Sequence, residues 1–277
     1  MSAASGMSGV SAVDPAVAEI GTLRRTLRDS GLVAGRYLRV LWLNPGRLIY
    51  PLVQPLVLLV LFISVFGNLA VRGHPEVGAY RQFLIPGIII QNAALTAPIA
   101  GLSLLRDAGS GLADRFRSLP MSRAAVLIGR LACDAIVLAA QAALLLITSL
   151  GFGFSITSGL AGAIGIIAIA VAFGLSISVA SAWLALTIHD AETAERVMYF
   201  PSIMLSFVSS AFAPVAFLAG WMQPIARVNP VTAAADLIRS LAAGGPATTP
   251  ALLLGTWVVV LVTIPGILAV RRWQRSP

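Results

Sequence analysis

The chain has 277 residues, 58% of them hydrophobic and 11% charged, with a mean hydropathy of +0.90. Soluble domains carry about 25% charged residues, and a 28.8 kDa domain could not hide this much apolar surface in its core; a bilayer must be the second solvent. The net charge of +8 comes from 19 arginines without a lysine, which excludes lysine-dependent phosphate loops and lysine-based enzymes.

Residues 1–20 are small and polar, lack an apolar run, and read as a disordered tail rather than a signal peptide. Residues 21–47 interleave Leu23, Leu27, Val33, Tyr37, Leu41 and Trp42 with Arg24, Arg25, Arg28, Arg36, Arg39 and Arg47. This pattern predicts an amphipathic helix along the membrane interface in preference to a solvated basic tail. Residues 48–277 then read as a transmembrane domain. A helix needs about 20 apolar residues to cross the hydrocarbon. Six stretches meet that length: Leu48–Ala70, Phe83–Leu105, Ala124–Leu150, Gly159–Ile188, Val197–Leu218 and Leu252–Val270. The fold class is therefore all-α integral membrane with six transmembrane helices. If the N-terminus is inside, fifteen arginines share its compartment and only Arg72, Arg81, Arg227 and Arg239 face the other. The positive-inside rule then places both termini in the cytoplasm. Excess arginine beside a membrane answers to anionic lipid, and no nucleic-acid partner is inferred.

Between the second and third spans, residues 106–123 form an inner loop with glycines at 109 and 111 and a helical run Leu112–Leu119 ended by Pro120. Leu112, Phe116 and Leu119 would be apolar anchors flanked by Asp114, Arg115 and Arg117, suited to a partner's groove. A solvated turn fits the composition equally well. Between the fifth and sixth spans, residues 219–250 are broken by Pro224, Pro230 and Pro246, and the fifth span carries Pro201 and Pro214. Irregular backbone at membrane depth must be satisfied by protein or by a water-filled cavity. This segment is expected to re-enter partway from outside, with Thr232–Leu241 as a short helix.

Charged groups within spans are few. Arg130 and Asp134, four apart, predict an ion pair near the inner interface, as do Asp236 and Arg239 on the outer helix. His189-Asp190 reads as a loop end. A lone mid-membrane acid, which proton- or sodium-driven transporters use, is missing from the sequence. Ser176, Ser178, Ser181, Ser202, Ser206, Ser209 and Ser210 read as helix-packing residues rather than a protease nucleophile with its partners. With one cysteine, Cys133, and two distant histidines, His74 and His189, neither a disulfide framework nor a metal site is expected.

Several stretches resemble one family. These are Asn44-Pro45 with PLVQPLVLLVLFISVFGN (51–68), FLIPGIIIQNA (83–93), LLRDAGSGLADRFRSLPMSRAAVLIGRL (104–131), FVSSAFAPV (207–215) and NPVTAAADLIRSL (229–241). In order and spacing they are similar to the membrane subunit of type-2 ABC exporters (ABC-2), in particular daunorubicin-resistance-like permeases. One departure is Asp-Ala-Gly-Ser-Gly at 107–111, where many relatives carry Glu-Arg and Gly-Thr. The resemblance implies an export permease in the plasma membrane, paired with a second copy or a paralogue and driven by a separate ABC ATPase subunit. ATP and Mg would bind on that partner; this chain would hold no cofactor and be no enzyme. Coupling would run through Arg106, Asp107, Leu112, Asp114, Arg115, Phe116, Arg117 and Leu119. The N-terminal helix, with Arg36, Tyr37, Arg39 and Trp42, would also touch the ATPase. The substrate would be hydrophobic or amphipathic, such as a drug, lipid or glycolipid, lined by spans one, two and five. Read from residues alone, a nucleotide-independent channel, an intramembrane enzyme and a structural anchor remain open.

Overall fold

A computed structural model describes residues 28–40, 43–44, 46–71, 78–109, 123–185, 187–188 and 190–275. All regular structure among them is helical, without a strand. In chain order the helices are α1 (residues 28–40), α2 (Gly46–Val71), α3 (Gly78–Thr96), α4 (Pro98–Gly109), α5 (Arg123–Gly151), α6 (Gly159–Ala185), α7 (Ala191–Phe207), α8 (Gln223–Val228), α9 (Pro230–Ala243) and α10 (Thr248–Arg275).

Four helices among the described residues are long and apolar enough to cross a membrane: Tyr80–Arg106, Ile128–Gly151, Gly159–Ala185 and Thr248–Leu268. They coincide with the second, third, fourth and sixth predicted spans. The second combines α3 and α4 across a turn at Ala97, where Pro98 has no N–H to continue the ladder. The buried Ser178 hydroxyl donates to the Ala97 carbonyl across 3.4 Å, so the irregular backbone is partly satisfied by protein. The first predicted span falls within α2, whose described apolar stretch is Leu52–Phe62. The fifth expectation differs more. Val197–Leu218 is helical only to Phe207; the C-cap Val208 leaves helical geometry, bends follow, and a 3-10 turn at Val215–Phe217 comes after Pro214.

Helix α3 is central. Leu84, Ile85, Ile88, Ile89 and Ile90 are each at most 1% exposed, enclosed by α2, α5, α6, α7 and α9. Close approach is made possible by glycine. A Cβ on Gly87 would lie 1.9 Å from the Ala211 carbonyl oxygen, and one on Gly101 2.4 Å from that of Ser181. Helix α6 is apolar all round and touches α3, α4, α5, α9 and α10 through Gly162, Ala170, Gly174, Ser178 and Ser181, a small-residue packing surface of the membrane type. Its outer residue Leu160, with Ile147, Leu252 and Phe217, is strongly exposed; lipid contact makes that placement favourable, as water would not.

Helix α9 contains the predicted Thr232–Leu241 helix and extends past both its ends. Asn229 caps it by accepting from the Val231 N–H at 2.8 Å, Pro230 occupies its first turn, and Gly244 ends it at φ +69°. That left-handed C-cap is a conformation glycine adopts without a Cβ penalty. Val231, Ala233, Ala234, Ala235 and Ile238 are buried against α3 and α6.

Candidate functional site

Helix α1 packs against the start of α5. Gly129 lets them touch: a Cβ there would meet the Ser30 carbonyl oxygen at 2.6 Å and Val33 Cβ at 2.7 Å. Val33 and Ala34 are buried in this contact face, whereas Leu32 and Val40 are exposed. The predicted Arg130–Asp134 pair forms, with Nη2–Oδ1 3.0 Å and Nε–Oδ2 3.3 Å. The Arg130 guanidinium also lies 4.9 Å from the centre of the Tyr37 ring, a cation–π contact that ties α1 to α5. Arg36 and Arg39 are exposed and Tyr37 half-buried; Trp42 lies outside the described residues.

Arg106, exposed, stands in the last turn of α4. Asp107 belongs to the same helix, its side chain not being among those described. Leu112, Asp114, Arg115, Phe116, Arg117 and Leu119 lie outside the described residues. Around the point where that loop leaves, Leu102, Ala185, Ala194 and Met198 form a second apolar cluster with Leu104, Leu105, Leu184, Ile188 and Tyr199. It joins the C-terminal ends of α4 and α6 to the start of α7, so displacement of α4 reaches α7 through packed side chains.

Asp190 is the N-cap of α7, its carboxylate accepting the Thr193 N–H at 2.7 Å. Hydrogen bonds from Thr193, side chain first and then backbone, hold its carboxyl below the usual range. The loop-end reading of this acid is the one the geometry supports. Glu192 and Arg196 pair on the exposed face one turn later, above an open groove of about 900 Å³ lined by Glu195, Tyr199, Phe200 and Ile203 among others.

Where α3, α9 and the segment after α7 meet, Arg239 forms a polar knot. Its Nε donates to the Phe83 carbonyl at 2.9 Å, Nη2 to the Ser210 carbonyl at 2.7 Å, and Nη1 to Ser210 Oγ at 2.9 Å and Asp236 Oδ1 at 2.5 Å. The guanidinium also stacks 3.6 Å from the Phe83 ring centre. Asn229 Nδ2 donates to the Leu205 and Val208 carbonyls at 2.8 and 2.6 Å, and Thr232 Oγ1 accepts the Ser210 N–H at 2.9 Å. Side chains of α9 therefore satisfy the carbonyls that α7 frees where it stops. Phe212 stacks on Phe62 of α2 at 5.3 Å and lies 6.0 Å from Phe207. The Asp236–Arg239 pair is thus present as spaced. Ser210, read only as a packing residue, is its third member; the other predicted packing serines are buried, and Ser176, Ser181, Ser202, Ser206 and Ser209 donate to carbonyls within their own segments.

Mid-bundle, Asn92 Nδ2 donates to Gln141 Oε1 at 3.1 Å, joining α3 to α5. Sequence reading passed over this pair. Its signal is two amides placed near the centres of otherwise apolar spans, where uncompensated polar groups are costly.

Residues 31–242 match the family profile of the ABC-2 type transporter. The chain is 31% identical over 200 residues, 72% of it and 70% of the relative, to the daunorubicin resistance ABC transporter permease protein DrrB1 of Streptomyces coeruleorubidus. It is 28% identical over 224 residues, 80% of each chain, to the probable doxorubicin resistance ABC transporter permease protein DrrC of Mycobacterium tuberculosis. It is 29% identical over 210 residues, 75% of this chain and 71% of the other, to the putative transport permease ycf38 of Porphyra purpurea. With its several membrane-length apolar helices, this multi-pass membrane protein belongs to the ABC-2 type transporter family.

Proposed function

We propose that the chain is the permease subunit of an ATP-driven exporter that moves a hydrophobic or amphipathic substrate, drug-like, lipid or glycolipid, out of the cell. The observation that carries this reading is the family match across residues 31–242, which spans the 106–123 loop, the Asn92–Gln141 pair and the Arg239 knot. Six spans with both termini cytoplasmic follow from adding α2 and α7 to the four membrane-length helices, and arginine sidedness supports it. ATP and Mg bind on a separate ABC ATPase subunit. A second permease copy or a paralogue completes the passage. Residues 106–123 carry the coupling, with Leu112, Phe116 and Leu119 in the ATPase groove, Asp114, Arg115 and Arg117 around them, and Arg106 and Asp107 at the entry. Helix α1, held on α5 by Gly129 and Arg130, offers Arg36 and Arg39 to the same partner.

The test uses proteoliposomes holding the chain with its ATPase. Phe116→Asp and Leu119→Asp each abolish ATP-dependent transport while membrane insertion is kept. Normal transport by both variants would overturn the coupling assignment. Uphill transport by the isolated chain without nucleotide would overturn the exporter reading altogether.

A further inference from the structure

The Asn92–Gln141 contact is incomplete. Two carboxamides facing each other can exchange two hydrogen bonds, each giving one N–H and accepting one. Here only the Asn92 Nδ2–Gln141 Oε1 bond is made, and Gln141 Nε2 has no partner among the described residues. Exchanging the amide oxygen and nitrogen of both side chains moves the orphan to the other atom of Gln141 without removing it. Gln141 is 1% exposed and Asn92 7%, and Leu138, Ala142 and Leu145 share the surrounding core with Ile88 and Ile89. Both amides sit near mid-depth of their spans: Gln141 within Ile128–Gly151, and Asn92 within Tyr80–Arg106. No bulk water competes there, so an amide–amide bond is the natural cross-link and a spare N–H is under pressure to find an acceptor.

The location adds a direction. Spans α3/α4 and α5 are the two arms of the hairpin that carries the 110–122 loop. Asn92 lies in the last turn and a half of α3, directly before the joint at Ala97–Pro98 where α4 restarts. Movement of α4 from the loop side therefore pivots beneath the amide pair rather than through an unbroken helix.

We propose that Asn92 and Gln141 form a two-stage clasp between the arms of this hairpin, singly bonded in the conformation seen here and doubly bonded in another conformation of the transport cycle. In the second stage Gln141 Nε2 donates to Asn92 Oδ1 while the present bond is kept, so a small shift of α5 against α3 is converted into one made or broken hydrogen bond. The proposal rests on the exporter reading for its cycle, but its structural half is observable without transport.

The full chain, in nanodiscs with ¹⁵N-labelled glutamine, is followed by side-chain amide NMR, the Gln141 signal being assigned by its loss in Gln141→Met. Two exchanging Nε2 environments are expected, one shifted as a hydrogen-bonded amide; a single environment overturns the clasp. In ATPase-driven proteoliposomes, Asn92→Leu with Gln141→Met, which removes both polar partners together, retains the thermal midpoint but exports at least fivefold less substrate per ATP hydrolysed. Unchanged export by this folded double variant also overturns the proposal. If the wild-type complex shows no ATP-dependent transport, the exporter reading falls, and the NMR result still decides whether the clasp has two stages.

Discussion

At the scale of single residues, Arg239 does more than its ion pair requires. Four hydrogen bonds and a ring contact converge on one guanidinium, 15% exposed as a side chain, from the start of α3, the segment after α7 and its own helix. Arg239→Met leaves the Phe83 and Ser210 carbonyls without this donor, and a loss on the order of 2–3 kcal/mol is expected from hydrogen bonds to a charged group. Differential scanning fluorimetry in detergent should show a clearly lower midpoint. Arg239→Lys should fall between, since an ammonium cannot fork across acceptors set in different directions. Asp190 makes a smaller, pH-dependent contribution. Its folded carboxyl titrates below the usual value because Thr193 bonds the charged form. The cap is therefore fully present above the unfolded pKa near 4 and is lost as pH falls through the lower folded value. Hydrogen exchange of the amides at 191–194 should speed up on acidification in the wild type. In Asp190→Ala it should already be fast at neutral pH and respond little to acid.

At the scale of helices, contact depends on which glycines face a neighbour. Gly87→Ala would push a Cβ to 1.9 Å from the Ala211 backbone, which cannot step aside, whereas Gly255 has nothing within 4 Å. Overpacking of this kind costs about 1–3 kcal/mol or more, so Gly87→Ala should express poorly or melt early while Gly255→Ala matches the wild type. The same distinction explains what was legible in the sequence. Of the six spans predicted from apolar runs of helix length, four are membrane-length helices with ends within a few residues of the expectation, because length and hydropathy alone decide them. The Arg130–Asp134 and Asp236–Arg239 pairs were legible because both partners lie on one helix, three or four apart. The end of α7 at Phe207 was not, since it depends on Asn229 and Arg239 reaching back from the α9 segment to donate to the loose backbone carbonyls there. Nor was the Asn92–Gln141 bond, whose partners are 49 residues apart. The docking of α1 was half legible: alternation of arginine with Val33 and Tyr37 predicted a sided helix, but only the fold shows that Gly129 and Arg130 of α5 take up part of that side.

At the scale of the whole molecule, the proposed six-span topology separates a basic inner end from an outer end closed by the Arg239 knot, with the Asn92–Gln141 pair between them. This polarity requires the six-span path, because an inner loop at 106–123 and an outer α9 must be separated by an odd number of crossings. The spans α5, α6 and α7 supply three. If α7 with its 17 helical residues did not cross, α9 would lie on the same side as the inner loop, which would bring Arg227 and Arg239 to that side and move Arg271, Arg272 and Arg275 to the opposite one. Cysteine accessibility separates the two paths in whole cells. Cys133 is buried and free, so replacing it with serine gives a quiet background. Gly220→Cys, at an exposed position with nothing within 4 Å, should then react with a membrane-impermeant maleimide added outside. Glu195→Cys, exposed in the second turn of α7, should react only after permeabilisation. Labelling of both positions from the same side would remove the fifth crossing, and with it the placement of the knot opposite the face where an ATPase could push.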